Sequence, residues 1–202
     1  MNGDIAGRKA AAERSALLDL AAILTHDLSN PLQSITVLCE LGMEEDDAGE
    51  APRRAQQSLQ AAERMRDLLH AYAALVRTAD RPTKVSGAIE RTSAMFARRC
   101  ERHRIALETS VERDFEGPAC TGLAVVTLYL GMVRTAEAGQ GPFEARLVVD
   151  GNAIRVSMVD TEGVPTPWAP ESVESLAHVI ASDGKAAFDG TTLHVRLESA
   201  AP

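Results

Sequence analysis

Two apolar stripes of helical period, one after the other, restrict this chain more than any other feature of it. Leu17, Ala21, Leu24, Leu28, Leu32, Ile35, Leu38 and Gly42 step by threes and fours, and so do Ala55, Leu59, Ala62, Met65, Leu69, Tyr72 and Val76. Such spacing sets each group on one face of an α-helix. Between them "MEEDDAGEAPRR" breaks the rhythm with acidic residues, a glycine and a proline, which marks a turn. A turn this short implies an antiparallel helical hairpin. Two helices with one stripe each cannot bury a bundle core between themselves. Pairing of two copies into a four-helix bundle satisfies both stripes; packing of the hairpin onto the rest of the chain is the other solution. The length and regularity of the stripes favour the bundle, so a homodimer is expected.

From "DRPTK" onward the texture changes. A helical segment, Ser86 to His103, leads into the alternating strand "RIALETSVE", and after "EGPAC" comes an apolar helix from Gly122 to Ala138. "FEARLVVDG" and "AIRVSMVD" read as a hairpin turned at Asp150-Gly151-Asn152. A last helix near Glu171 to Ser182 precedes "KAAFDGTTLHVRLE", a second strand pair turned by Asp189-Gly190. The fold class is therefore α+β, with the second half an α/β sandwich carrying its helices on one face. The division is expected near residues 79–84, giving a hairpin over residues 1–80 and a second domain over residues 81–202.

Charge and cysteine usage narrow the partners. A chain of 202 residues with net charge −8 counts against a nucleic-acid binder that works by phosphate neutralisation, and against a basic membrane-surface helix. The longest apolar run, "GLAVVTLYLGMV", is shorter than the roughly 20 residues that span a bilayer. The first twenty residues have no apolar core or cleavage pattern of a signal peptide. Cys39, Cys100 and Cys120 are odd in number and far apart, as buried thiols of a reducing compartment would be. A cytoplasmic protein is expected. His70, His178 and His194 have no ligand-like spacing, and no metal is assigned to them.

The first helix contains the chemistry. "ILTHDLSNPLQSI", Ile23 to Ile35, places His26 two residues from both Leu24 and Leu28, about 160° from each and so on the outer face. Asn30 lies one turn further along, and Asp27 is adjacent. An imidazole is a good nucleophile near neutral pH, and a neighbouring carboxylate can fix its tautomer. Pro31 removes the donor that would serve the carbonyl of Asp27, at a cost of about 3 kcal/mol in a helix interior.

"HDLSNPLQSI" resembles the H-box of bacterial sensor histidine kinases: His, acid, two variable residues, Asn or Thr, Pro, Leu. The resemblance implies that His26 is the phosphoacceptor, Asp27 the acid that serves as base in autophosphorylation, and Asn30 the residue that positions water in dephosphorylation. Pro31 matches the helix-bending proline. The hairpin resembles the family's dimerisation and histidine-phosphotransfer domain.

The second half resembles the family's ATP-binding domain in its scaffold only. "LYLGMVRTAEAG" stands where the N-box belongs, with Gly131 and Thr135 at the positions of its two asparagines. "VDTEGVP" is similar to the adenine-holding motif, matched at Asp160, Gly163, Val164 and Pro165 but one residue short and one glycine poorer. "TPWAPESVES" leaves no room for the mobile lid and the second glycine-rich loop that would cradle a triphosphate. The whole is similar to histidine phosphotransferases built from degenerate kinase cores. That implies a phosphorelay protein that passes phosphoryl groups between receiver domains of response regulators. It binds no cofactor itself, and the receiver supplies Mg²⁺. A pseudokinase scaffold that carries no phosphate, or an active kinase with an unusual nucleotide site, are the other readings. The cluster Arg98, Arg99, Arg102, His103 and Arg104 either docks an acidic partner or forms a solvated helix face. Trp168 either touches a partner or caps the core.

Overall fold

Helix α1 (Asn2–Glu44) runs unbroken through Pro31, and α2 (Ala51–Thr78) returns beside it. This is a computed structural model, and it describes residues 2–44, 50–78, 81–139, 141–181 and 183–198. Residues 45–49 of the predicted turn, the start of the predicted division at residues 79–80, and Ser182 at the end of the last predicted helix lie outside the described residues.

The second half follows the expected order. After the two-residue strand β1 (Thr83–Lys84) come α3 (Val85–Arg102), β2 (Ile105–Arg113), β3 (Glu116–Gly117) and α4 (Thr121–Ala138). Then come β4 (Phe143–Asp150), β5 (Ala153–Asp160), α5 (Pro170–Val179), β6 (Gly184–Phe188) and β7 (Thr192–Leu197). Five strands form one sheet in the order β2-β4-β5-β7-β6. Only β2 and β4 pair in parallel, as two strands joined by a crossover helix must. The other neighbours are antiparallel, and both predicted hairpins turn on glycines with positive φ, Gly151 at +59° and Gly190 at +98°. Strands β1 and β3 pair with each other through two residues each, too short to leave a periodic signal.

Helices α3, α4 and α5 pack together, and the hairpin lies against all three. Helix α4 is thus covered from several sides, and this explains its composition: from Thr121 to Ala136, only Leu123 and Arg134 are not fully buried. An apolar sequence with no polar face is what such a central helix requires.

Within the single chain the hairpin adopts the second of the two solutions, packing onto the rest of the chain. Ala16, Leu20, Ile23, Asp27 and Pro31 are all buried, and they too step by threes and fours. This second stripe lies one residue, about 100°, from the one read in the sequence, and Leu20 and Ile23 join the contiguous core of the second half, as does Leu75 of α2. Charged ties follow the same contact: Lys9 to Asp183 at 2.6 Å, and Arg134 to Asp19 at 2.6 Å. The stripe read first remains partly uncovered in the single chain. Leu32 is 54% exposed, Leu59 60% and Leu69 45%.

Two of the cysteines are buried as expected, but Cys39 is exposed on α1. It lies four residues after Ile35 and seven after Leu32, on the stripe that stays partly uncovered in the single chain. Burial raises the Cys100 thiol, and burial together with the Asp183 carboxylate pushes Cys120 up to about 12, so both are poor nucleophiles. Among the described residues, no helix is long and apolar enough to cross a membrane.

Candidate functional site

His26 projects from the middle of α1 with its side chain 49% exposed, as its angular offset from the leucines predicts. Its neighbour does not share that exposure. Its position next to an outward-facing residue predicts a solvated Asp27, yet Asp27 is 3% exposed. The correction has a simple cause: Asp27 lies four residues after Ile23, on the stripe that the second half covers. The carboxylate turns back to the imidazole, and Nδ1–H of His26 donates to Asp27 Oδ1 at 2.9 Å. That bond fixes the proton on Nδ1 and leaves Nε2 with its lone pair available.

The other carboxylate oxygen faces α3. Arg99 Nε stands 3.6 Å from Asp27 Oδ2, with the arginine side chain 14% exposed. This is a charge contact rather than a hydrogen bond, and Arg99 Nε has no hydrogen-bond acceptor among the described residues. One carboxylate thus stands between an exposed imidazole and a partly buried guanidinium from the other half of the chain. In the sequence Arg99 is one of a basic cluster, with nothing local to single out Asp27 as its partner. Others of that cluster behave as a solvated helix end: Arg98, Arg102 and Arg104 are exposed, and His103 Nε2 lies 3.4 Å from Glu137 Oε1.

Asn30 is exposed one turn below His26 and lines a groove of about 710 Å³ with Pro31, Ser34, Gln57, Arg64 and Arg98. The groove is bounded by α1, α2 and the basic end of α3. Pro31 itself is buried. Its ring continues the covered stripe, so apolar contact offsets part of the lost backbone bond.

Thr135 and Gly131, the positions aligned with the N-box asparagines, lie on the buried surface of α4. Trp168, from the short connection between β5 and α5, is 4% exposed and rests on Gly131. A Cβ on Gly131 would stand 2.6 Å from Cζ3 of the indole and 3.4 Å from Cβ of Ser172. Of the two roles open to Trp168, capping the core is the one observed. Asp160 is likewise engaged within its own loop: Oδ1 accepts the N–H groups of Glu162 and Val164, each at 2.9 Å, and Gly163 takes φ +77° to close the turn. Gly131→Asn, which would restore the aligned asparagine, must displace the indole. The expected cost is about 1–3 kcal/mol, a fall in melting temperature of roughly 2–12 °C for a chain of this size. An unchanged thermal transition would contradict this packing.

The fold is a helical hairpin followed by a mixed-sheet α/β sandwich. No sequence family and no curated protein matches the chain. Solved structures do. A bacterial phosphotransferase is similar at TM-score 0.50 and 16% identity, over 89% of this chain and 96% of that one. The histidine kinase AdeS of Acinetobacter baumannii is similar at TM-score 0.44 and 11% identity, over 87% of this chain and 98% of that one. The histidine kinase ThkA, solved in complex with the response regulator TrrA, is similar at TM-score 0.40 and 12% identity, over 93% of this chain and 64% of that one.

Proposed function

We propose that this chain is a histidine phosphotransferase, which relays a phosphoryl group between receiver aspartates of response regulators through His26. The observation that carries the reading is the state of the imidazole. It is exposed, its Nδ1 is held by a buried carboxylate, and Nε2 is free to attack. In the forward step Nε2 of His26 attacks the phosphorus of a receiver's aspartyl phosphate. The P–O bond breaks, its electron pair returns to the aspartate carboxylate, and the ring carries the phosphoryl group. The second receiver reverses this sequence. No proton need leave Nδ1 in either direction, so in-line positioning is the main catalytic contribution of this protein. The receiver supplies the Mg²⁺ and the aspartate.

Loading from ATP has no support in the residues of the second half. The indole of Trp168 rests on the aligned N-box position, and the Asp160 carboxylate closes its own turn. Calorimetry with millimolar Mg·ATP is expected to show no binding, whereas incubation with a phosphorylated receiver is expected to leave phosphate on this chain. Micromolar ATP affinity would favour an active kinase. Receiver binding without transfer would favour a scaffold.

Homodimerisation belongs to the same reading. Leu32, Leu59 and Leu69 are the residues through which a second hairpin would complete the four-helix bundle.

A further inference from the structure

We propose that Arg99 is a positioning residue for His26, acting through Asp27, so that the second half of the chain sets which imidazole nitrogen is free to react. The inference rests on the reading of His26 as phosphoacceptor, but its geometry is independent of that reading. Asp27 is 3% exposed, and a buried carboxylate without a cationic partner is costly. Arg99 is the cation at hand, with Nε 3.6 Å from Oδ2. It comes from the last turn of α3, and that helix is anchored in the core by Phe96, Met95 and Cys100. The guanidinium therefore has a fixed position, and it draws one carboxylate oxygen towards α3. The other oxygen is left aligned with Nδ1–H of His26 at 2.9 Å. Asp27 is the residue immediately after His26, and a flexible carboxylate there could equally rotate away to solvent or towards α2. Arg99 removes that freedom.

The arrangement also gives the second half a purpose that needs no nucleotide. Its helix α3 supplies the orienting charge for a nucleophile on α1, in the way that outer partners fix the tautomer of a ligating histidine. Phosphoramidate tests this without any receiver. In that reaction a new N–P bond forms at His26 while the P–N bond of the donor breaks. Ammonia leaves with the electron pair, and the proton on Nδ1 stays in its hydrogen bond to Asp27.

The experiment uses the full chain labelled with ¹⁵N, at pH 8, above the ordinary imidazole range. Two-bond ¹⁵N–¹H spectra read the His26 tautomer in the wild type, Arg99→Gln and Arg99→Lys. Phosphoramidate is then added, and ³¹P spectra read which nitrogen is phosphorylated. The wild type is expected to hold the Nδ1–H tautomer and to be modified at Nε2. Arg99→Gln is expected to mix the tautomers, to react at both nitrogens, and to react more slowly by roughly tenfold, the scale at which orienting partners of a histidine act. Arg99→Lys, which keeps the charge, is expected to restore the wild-type pattern in large part. A loss of stability alone would not change the tautomer or the site of reaction. A wild-type His26 protonated on Nε2 would overturn the proposal even if Arg99→Gln failed to fold. An Arg99→Gln protein with the wild-type tautomer and regiochemistry would overturn it too. Failure of the phosphotransfer reading appears separately, as a wild type that takes no phosphate from phosphorylated receivers.

Discussion

The His26→Gln protein takes up no phosphate from a phosphorylated receiver, while it still folds, assembles and binds that receiver. This is the largest functional effect expected of any single substitution. Glutamine has a polar side chain of similar reach, and the site is 49% exposed, so the replacement disturbs little packing. What it removes is the lone pair on Nε2. Among the described residues, no other histidine combines an exposed ring with a buried carboxylate. Near its own strand, His194 Nε2 bonds Asp189 Oδ2 at 2.9 Å, but that carboxylate is 53% exposed and also accepts the N–H groups of Thr191 and Thr192. Those bonds, the one from His194 first, hold Asp189 well below the usual carboxylate range, as a structural turn cap would be held. Gel autoradiography with labelled receiver phosphate reads the outcome directly. Asp27→Asn should be milder, because an asparagine carbonyl can still accept from Nδ1–H and the forward step needs no base. Asn30→Ala should leave transfer largely intact and alter only accompanying hydrolysis. Full transfer in the His26→Gln protein would move the phosphoacceptor elsewhere and end this account of the first helix.

How much of this was legible beforehand depends on the kind of pattern each element leaves. Strands β4 and β5 alternate cleanly and are turned by Asp150-Gly151-Asn152, so their hairpin is where the sequence places it. Helix α4 announces itself as a continuous apolar run. Helix α1 is harder because it serves two surfaces. Its residues 17, 21, 24, 28 and 32 and its residues 16, 20, 23, 27 and 31 form adjacent stripes, and only the first was read. The second contains alanine, aspartate and proline among its five members, so hydropathy alone conceals it. Without that stripe Asp27 reads as solvated, and Arg99 cannot be told from the rest of its basic cluster, because an arginine in a basic run looks solvated until its partner across the fold is known. Trp168 shows the same difficulty. Its burial depends on Gly131, 37 positions earlier, and no local period connects the two.

Leu69→Asp and Leu59→Asp are expected to convert a homodimer into monomers. In the single chain these leucines are 45% and 60% exposed, and substitutions at such sites ordinarily change stability by about 0.5 kcal/mol or less. The paired bundle changes the sign of the argument, because the same positions then lie in its core. A two-fold interface contains every substitution twice. With a penalty of about 3 kcal/mol for each buried, unpartnered carboxylate, association weakens by roughly 10⁴-fold. Micromolar dimers would then be monomeric at any concentration convenient for sedimentation. The second half is the internal control. Its core is completed within one chain by Leu20 and Ile23 of the other stripe and by Leu75 of α2, so its circular dichroism should survive the change. Sedimentation of the wild type as a monomer at micromolar concentration would mean that the uncovered leucines serve some other partner. The four-helix bundle would then have to be given up, whatever the fate of His26.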